Sequence, residues 1–275
     1  MHAFDTFLRD LKGKGVFHWA PEQMASDEGP FLSRLPRQGT VLALAPHASD
    51  VERSAIFLWR LKDRGWTVRG AICTRGTAGV LDRYAKARGG TGDLAQHKAE
   101  IRREEARASA RLLGLPEDAT TFLYDAHGDV GRGAPERDAE ILVGVLREIA
   151  PDIVVLPSGN DENATHVGVY HALRRAAAMR ANDRPLAAFY HEDPKTLALT
   201  PDLLVWFTRR ESLFKARLLA THDSQQQRRY ERTGEGLDDK VLRCNFERAS
   251  SYRKTHSGAP HHPFAEAFEI EVFGV

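Results

Sequence analysis

His47, Asp50 and His166 are the side chains whose types and positions best suit a bound metal ion. His47 and Asp50 lie three residues apart, directly after the apolar run Val41–Ala45. Imidazole nitrogens and carboxylate oxygens are good zinc ligands, although a histidine at the end of a strand more often caps or packs than binds a metal. His166 follows a second apolar run, Ile153–Leu156, and supplies a third ligand. A His/Asp/His set with open coordination positions is typical of hydrolytic zinc sites.

Two short strands and two helices must position these ligands. The run Val41–Ala45 is bounded by Gly39 and Pro46, which is typical of a strand buried on both faces inside a parallel sheet. A helix is predicted to start at Ser49 or Asp50, since either side chain can cap it. The run Ile153–Leu156 has the same character and leads into a polar loop that ends with His166, after which a helix carries Val169, Leu173 and Ala176.

Strands and helices alternate along the rest of the chain. Further strands are predicted at Thr67–Cys73, Thr120–Tyr124, Leu186–Tyr190 and Leu203–Phe207. Further helices are predicted at Leu94–Leu113, Pro135–Ile149, Glu211–Ala220 and Leu237–Tyr252. This alternation predicts a Rossmann-like, doubly wound, mostly parallel sheet with helices on both faces. The loops at the carboxyl ends of the strands then lie on one rim, so Arg75 and His127 can converge with the three metal ligands.

The length of 275 residues fits one α/β domain, in which residues 1–39 form an N-terminal lead-in. This lead-in has an amphipathic segment with Phe4, Phe7, Leu8 and Leu11, followed by Pro21, Pro30 and Pro36. Because the prolines interrupt regular structure, the lead-in is expected to pack on the outside of the sheet.

Composition excludes several classes of partner. The 39 basic residues nearly balance the 38 acidic ones, so nucleic acid is not an expected partner. The pairs Arg102-Arg103 and Arg228-Arg229 alternate with Glu and Gln and are interpreted as solvated helix faces. Two cysteines without a CxxC spacing indicate a reducing compartment. No apolar run has the length of a membrane span or a signal peptide, so a cytoplasmic protein is expected.

Six segments match, in order, the motifs of one known family. They are Ala45–Asp50, Thr74–Gly79, Arg103–Glu105 with Leu112–Gly114, Asp161–His166, His222–Gln225 and Phe264–Phe268. By these segments the sequence resembles the PIG-L/LmbE-type metal-dependent deacetylases, which hydrolyse N-acetyl groups, commonly from N-acetylglucosamine-linked substrates. The resemblance implies that His47, Asp50 and His166 hold zinc or another divalent metal and that Arg75 contacts the substrate.

The sequence departs from this family where protons are transferred. Ser49 stands where the family has its general-base Asp, and Val51 stands where it has a Glu. Asn163 replaces a histidine that helps to stabilise the oxyanion, and His127 replaces an Asp of the substrate loop. A serine hydroxyl is a poor base at neutral pH, and a missing general base costs about 10²- to 10⁴-fold in rate. The amide of Asn163 can still donate a hydrogen bond to an oxyanion.

Three functional hypotheses follow. The favoured one is a zinc-dependent amidohydrolase that removes an acetyl group from an N-acetylated sugar or related amide, with metal-bound water as the nucleophile and Asp161 or Glu162 as the base. The second is a catalytically impaired, metal-containing sugar-binding or regulatory protein, which Ser49 supports. The third, a nucleotide-cofactor enzyme, is disfavoured because no Gly-x-Gly follows the first strand. The substrate, the native metal and assembly into homo-oligomers are left open.

Overall fold

The centre of the protein is a mixed β-sheet. The computed structural model describes Phe7 and residues 15–26, 29–180, 184–192 and 198–274. Within these residues the strands are β1 (Phe17–Trp19), β2 (Thr40–Ala45), β3 (Thr67–Ile72), β4 (Thr120–Phe122), β5 (Ile153–Pro157), β6 (Leu186–His191), β7 (Leu203–Phe207) and β8 (Phe264–Phe273). They form one eight-stranded sheet in the order β1-β7-β8-β6-β5-β2-β3-β4.

The strands of this sheet are parallel except for β8. The last strand runs antiparallel between β6 and β7, with Phe268 opposite both His191 and Leu203. Strand β2 lies between β3 and β5, and its Val41 is in register with Ile153. The parallel arrangement therefore brings the carboxyl ends of β2 and β5 side by side at one rim, which is where the predicted metal ligands follow.

Helices cover both faces of the sheet. In chain order they are α1 (Pro21–Ser26), α2 (Ala55–Asp63), α3 (Asp82–Ala87), α4 (Leu94–Leu112), α5 (Leu123–His127), α6 (Pro135–Ile149), α7 (Ala164–Met179), α8 (Arg209–Ala220), α9 (Asp223–Thr233) and α10 (Leu237–Thr255). Short 3₁₀ helices span Ala48–Ser54, Thr77–Gly79 and Glu117–Ala119. Among the helices of the described residues, none combines the length and the apolar character that a membrane crossing requires.

The side-chain alternation along the strands creates two main cores. Val41 and Ala43 of β2 face a core with α2, whereas Leu42 and Leu44 face a core with α6 and α7. Because both faces of the strand are buried, the run is apolar throughout instead of alternating with polar residues. The expected doubly wound, mostly parallel sheet with helices on both faces is confirmed.

The structure corrects the expectation for where the N-terminal lead-in packs. The sequence predicts that the residues before β2 pack outside the sheet, but Phe17–Trp19 form its edge strand, parallel to β7. Both Phe17 and Trp19 are buried there. Phe7 of the predicted amphipathic segment is also buried, whereas Phe4, Leu8 and Leu11 lie outside the described residues.

Two further local predictions are corrected by the structure. The chain after His47 first forms the 3₁₀ helix Ala48–Ser54, and the α-helix starts only at Ala55. Strand β4 ends at Phe122, so His127 lies at the end of the short helix α5 and not in an extended loop. The antiparallel strand β8 and helix α9 have no counterpart among the predicted elements.

Candidate active site

The three predicted metal ligands meet at the rim of the sheet. The distance from His47 Nδ1 to His166 Nε2 is 3.1 Å, and Asp50 Oδ2 lies 3.3 Å from the former and 3.2 Å from the latter. One ligand atom from each residue can be chosen so that all lie within 4.8 Å of one another. Two imidazole nitrogens and a carboxylate oxygen that face one point form a donor set suited to zinc. The residues present therefore fit a divalent metal ion.

The turn after β2 fixes two of these ligands. His47 lies two residues after β2, has extended backbone angles and stands at the N-cap of the 3₁₀ helix Ala48–Ser54. Its N–H donates to Asp50 Oδ2 at 2.8 Å, and the N–H of Asp50 donates to the carbonyl of His47 at 3.0 Å. Arg53 Nε donates to the other carboxylate oxygen, Oδ1, at 3.1 Å. The tight turn thus places Asp50 Oδ2 beside the His47 ring, and Arg53 holds the carboxylate in place.

His166 is positioned by the loop after β5. It lies in the first turn of α7, whose N-cap is Asn163. Asp161 Oδ2 lies 2.5 Å from His166 Nδ1, and the second oxygen of Asp161 accepts the N–H of Asn163 at 2.7 Å. A carboxylate on one ring nitrogen of histidine orients the other nitrogen toward a metal and makes it a stronger ligand. Asp161 therefore aims Nε2 of His166 at the other two ligands.

Charge coupling shifts the pKa values of this cluster. Burial opposes ionisation of Asp50, but its interactions with His166, His47 and Arg53 keep its pKa well below the ordinary value. Burial likewise opposes ionisation of Asp161, yet its hydrogen bond to His166 lowers the pKa to about 2. For His166, burial is outweighed by the Asp50 charge and by hydrogen bonds to Asp161 and Asp50, which raise the pKa to about 9. Without metal, His166 therefore holds a proton at neutral pH, and a divalent cation would replace it.

Ser49 is connected to a buried polar layer behind the metal ligands. Arg102 Nη2 donates to Ser49 Oγ at 3.3 Å, and Nη1 donates to Glu105 at 3.0 Å. Glu105 also accepts from the backbone N–H and the hydroxyl of Ser224, at 2.7 and 2.9 Å. The buried His222 ring lies 3.1 Å from Glu52. Arg102 therefore does not belong to the predicted solvated helix face of the pair Arg102-Arg103, because it is only 2% exposed.

A cavity of about 570 Å³ opens above the triad. Ser49, Asn163 and Glu162 line it together with His47, Asp50 and His166. The Asn163 side-chain oxygen accepts the N–H of Thr165 at 3.0 Å and so caps α7. The amide NH₂ of Asn163 is therefore the group that remains to donate to a bound molecule.

Three of the predicted site residues lie outside this cavity. The side chains of Arg75 and His127 are exposed at the rim and do not line it. The backbone N–H of Arg75 donates to Asp129 at 3.0 Å, which fixes the loop after β3 but leaves the guanidinium in solvent. The Asp161 carboxylate is fully buried behind His166. Contact of substrate with Arg75 and His127 stays a prediction.

The basic character of the cavity was not predicted from the sequence. Seven of its lining residues are basic, whereas Asp50 and Glu162 are the two acidic ones. Three of the basic residues precede α7 in the chain and are Arg53, Arg102 and Arg132. The others come from α9 and α10 and are Arg228, Arg229, Arg232 and Lys240. Arg228-Arg229 therefore belongs to a cavity wall and not to a solvated helix face, and only the clustering of Arg in residues 228–232 could have indicated it.

Comparison with known sequences points to one family. A family profile described as PIG-L, GlcNAc-PI de-N-acetylase, matches residues 42–177. This range contains the three metal ligands, Ser49 and Asn163, but not helices α9 and α10. Among curated proteins, none matches this sequence.

Solved structures share the fold at low sequence identity. The 4-carboxy-2-hydroxymuconate hydratase of Pseudomonas putida is 20% identical, with a TM-score of 0.62 over 84% of this chain and 95% of that one. The N,N'-diacetylchitobiose deacetylase of Pyrococcus horikoshii is 18% identical, with a TM-score of 0.65 over 85% and 84%. The A40926 pseudoaglycone deacetylase is 17% identical, with a TM-score of 0.61 over 86% and 98%. These likenesses establish a common fold that carries different activities.

Proposed function

Because a PIG-L family profile matches residues 42–177 of this chain, we propose that the protein is a metal-dependent hydrolase. The proposed reaction removes an acetyl group from an N-acetylated sugar or a related amide. The observation that carries the proposal is the His47, Asp50 and His166 triad at the base of a cavity. When bound there, zinc or another divalent ion supplies a water molecule of lowered pKa and polarises the acyl carbonyl. The deacetylases among the solved structures of this fold support the same reaction class.

The other steps of the proposed reaction are assigned to individual residues of the chain. His47, Asp50 and His166 hold the ion, and Asp161 orients His166. The amide NH₂ of Asn163 is placed to donate to the negative charge that develops on the acyl oxygen, as side-chain amides do in oxyanion holes. The hydroxyl of Ser49 faces the cavity but accepts a hydrogen bond from Arg102, so it positions groups and does not remove a proton.

Glu162 is better placed than Asp161 to act as the general base. Both oxygens of Asp161 already accept hydrogen bonds, and its buried carboxylate does not line the cavity. It therefore has no free oxygen with which to take a proton from a group in the cavity. Glu162 lines the cavity and is exposed to it. We therefore assign proton transfer to Glu162, with Asp161 kept as a positioning residue.

A second candidate function keeps the metal and the cavity but not the chemistry. Ser49 stands at the position of the family's general base, and its hydroxyl is tied to Arg102. If Glu162 does not replace that base, the protein is a metal-containing sugar-binding or regulatory homologue. The two buried, unpaired cysteines fit either role in a reducing, cytoplasmic setting.

Metal analysis and an activity screen test the proposal together. The purified protein is loaded with zinc, desalted, and analysed for bound metal and for acetate release from a panel of N-acetylated sugars. We expect one metal ion per chain and measurable acetate. The variant His166→Ala should lose both, because two remaining ligands hold zinc weakly. His171→Ala is the matched control, since His171 is exposed on the same helix.

The possible outcomes separate the candidates. Metal with acetate release supports the hydrolase, and metal without acetate release selects the non-catalytic homologue. Wild-type protein that binds no divalent metal, or a His166→Ala variant that keeps full occupancy, contradicts the site itself. Loss of metal in His171→Ala would show that the treatment, and not the ligand set, removes the ion.

A further inference from the structure

Helices α9 and α10 give the cavity a wall whose charge the proposed reaction does not use. Arg228 and Arg232 of α9 line the cavity together with Lys240 of α10. The whole chain carries a formal net charge of only +1, yet the cavity collects seven basic side chains against two acidic ones. This concentration of charge is therefore local. Four of the seven basic residues, Arg228, Arg229, Arg232 and Lys240, lie outside residues 42–177, which the family profile matches.

The acidic residues next to this wall are engaged elsewhere. Asp223 accepts the hydroxyl hydrogen bond of Tyr84 at 2.7 Å, and Glu231 pairs with Arg83. Glu235 pairs with Arg229 at 2.8 Å and with Arg243 at 2.9 Å. Arg229 is thus neutralised within the wall.

Arg228 and Arg232 differ from Arg229 in this respect. Within the described ranges, neither guanidinium has a carboxylate partner or a hydrogen bond to another residue. Burial lowers the pKa of Arg228, and the positive charges of Arg232 and Arg102 lower it further. Arg228 is partly buried and Arg232 is exposed, and two guanidinium groups that repel each other are stabilised when an anion binds between them. The planar guanidinium matches phosphate and carboxylate oxygens in a two-point fashion.

We propose that Arg228 and Arg232 bind a dianionic group of the substrate, either a phosphate ester or a pair of carboxylates. The inference rests on the proposed function for the acyl end of the molecule, which the metal triad receives. Both ends lie in one cavity, so the substrate class is an N-acetylated compound that carries a second, anionic part. Neutral N-acetyl sugars are then poor substrates.

Direct anion binding tests the proposal without any turnover. Calorimetric titration of metal-free protein with inorganic phosphate, and separately with malonate, gives the two dissociation constants. We expect phosphate or malonate to bind the wild type. The anion with the lower dissociation constant identifies the chemistry of the anionic group. The variant Arg228→Gln/Arg232→Gln should bind that anion at least about tenfold more weakly, because each loses a charge-assisted hydrogen bond.

A second double variant provides the matched control. Arg209 and Arg210 are exposed at the start of α8 and do not line the cavity, so Arg209→Gln/Arg210→Gln removes the same charge elsewhere. We expect it to bind the anion as the wild type does. Equal weakening in both double variants, unchanged affinity in Arg228→Gln/Arg232→Gln, or no binding of either anion by the wild type would overturn the proposal.

Substrate preference distinguishes this proposal from the proposed function. The wild type should deacetylate N-acetylglucosamine 6-phosphate with a higher kcat/KM than N-acetylglucosamine, and Arg228→Gln/Arg232→Gln should lose this preference mainly through KM. Anion binding without acetate release leaves the anion site intact and refutes the hydrolase. Acetate release with equal kcat/KM for both sugars, and no anion binding, supports the hydrolase and refutes the anion site.

Discussion

The contact between Ser49 and Arg102 limits what a carboxylate at position 49 can do. A new carboxylate there would face the guanidinium that now donates to the serine hydroxyl, and an opposite charge lowers the pKa of a carboxyl group. We expect Ser49→Asp to raise acetate release, but by less than the roughly 10²- to 10⁴-fold that a general base provides, because Glu162 already supplies part of that contribution. The uncharged Ser49→Asn is the control and should give no increase.

An unchanged or lower rate in Ser49→Asp would mean that Glu162 already supplies the full contribution of a general base. Glu162→Gln then becomes the decisive variant, because Glu162 lines the cavity. Loss of turnover in Glu162→Gln would support proton transfer by Glu162. Asp161→Asn should then lower metal occupancy more than it lowers the rate.

His191 gives the folded protein an acid-sensitive position. It is buried at the end of β6, where burial and the charge of Arg53 lower its pKa to about 3. At pH values between this pKa and the ordinary pKa of 6.5, the unfolded chain binds a proton at His191 and the folded chain does not. Stability is therefore retained above pH 6.5 and lost as the pH falls below it, by about 2 kcal/mol at about pH 5.

Denaturation by urea at about pH 7 and about pH 5 measures this loss. We expect His191→Asn, which cannot titrate, to lose less stability between the two pH values than the wild type does. The comparison uses metal-free protein in both cases, so that metal release does not contribute. An equal pH dependence in the two proteins would contradict the assignment.

At the scale of elements, Glu266 joins three parts of the fold behind the active site. Its carboxylate on β8 accepts the N–H groups of Ile56 and Phe57 in the first turn of α2, both at 2.9 Å. Lys215 of α8 donates to it at 2.6 Å and also donates to the carbonyl of Arg53 at 2.6 Å. The buried ion pair therefore connects β8, α2 and α8 to the turn that carries Asp50.

We expect Lys215→Met to cost about 3–5 kcal/mol of unfolding free energy, since it leaves a buried carboxylate without its cation. The double variant Lys215→Met/Glu266→Gln should recover part of that loss, and urea denaturation of both proteins measures it. Arg175→Met removes the exposed pair with Glu136 and should cost less than about 1 kcal/mol. A loss in Lys215→Met no larger than in this control would refute the coupling.

Elements with strong apolar periodicity were predictable from the sequence, whereas weakly patterned ones were not. Helix α6 and strand β7 have the predicted bounds. Helix α9 was missed because its sequence is polar throughout and offers no apolar stripe. Strand β1 has only three residues, too few for a pattern. Strand β8 alternates apolar and Glu residues only over residues 268–272, so its period of two covers half of the strand.

For the molecule as a whole, the active site was likewise only partly predictable from the sequence. His47 and His166 follow neighbouring parallel strands, so their convergence follows from sheet topology alone. The basic wall depends on how α9 and α10 fold over the rim, and no local pattern encodes that packing. Arg75 was placed on the correct rim, but only the tertiary structure shows that its side chain lies outside the cavity. Homo-oligomer formation stays a prediction.

A metal ion at the triad would link two separate loops of the fold and should stabilise the whole molecule. Binding to the folded state alone adds about 4 kcal/mol at a metal concentration on the order of 1,000 times Kd. A gain of this size raises Tm by several degrees. We expect zinc to raise the Tm of the wild type and of His171→Ala but not of His166→Ala, as followed by thermal denaturation with and without zinc. An equal rise in all three proteins would place the stabilising metal elsewhere.

Because both cysteines are buried, the rates at which their thiols are modified report conformational opening of the folded protein. Burial raises the pKa of Cys73 far above its ordinary value and that of Cys244 to about 12, so neither thiol is ionised at neutral pH. Since the thiolate is the reactive form, a disulfide reagent should modify neither cysteine in the native protein and both in urea. Cys73 follows β3 beside the active site, and Cys244 lies in α10. Their separate modification rates should therefore report how often the sheet and the outer helical layer open.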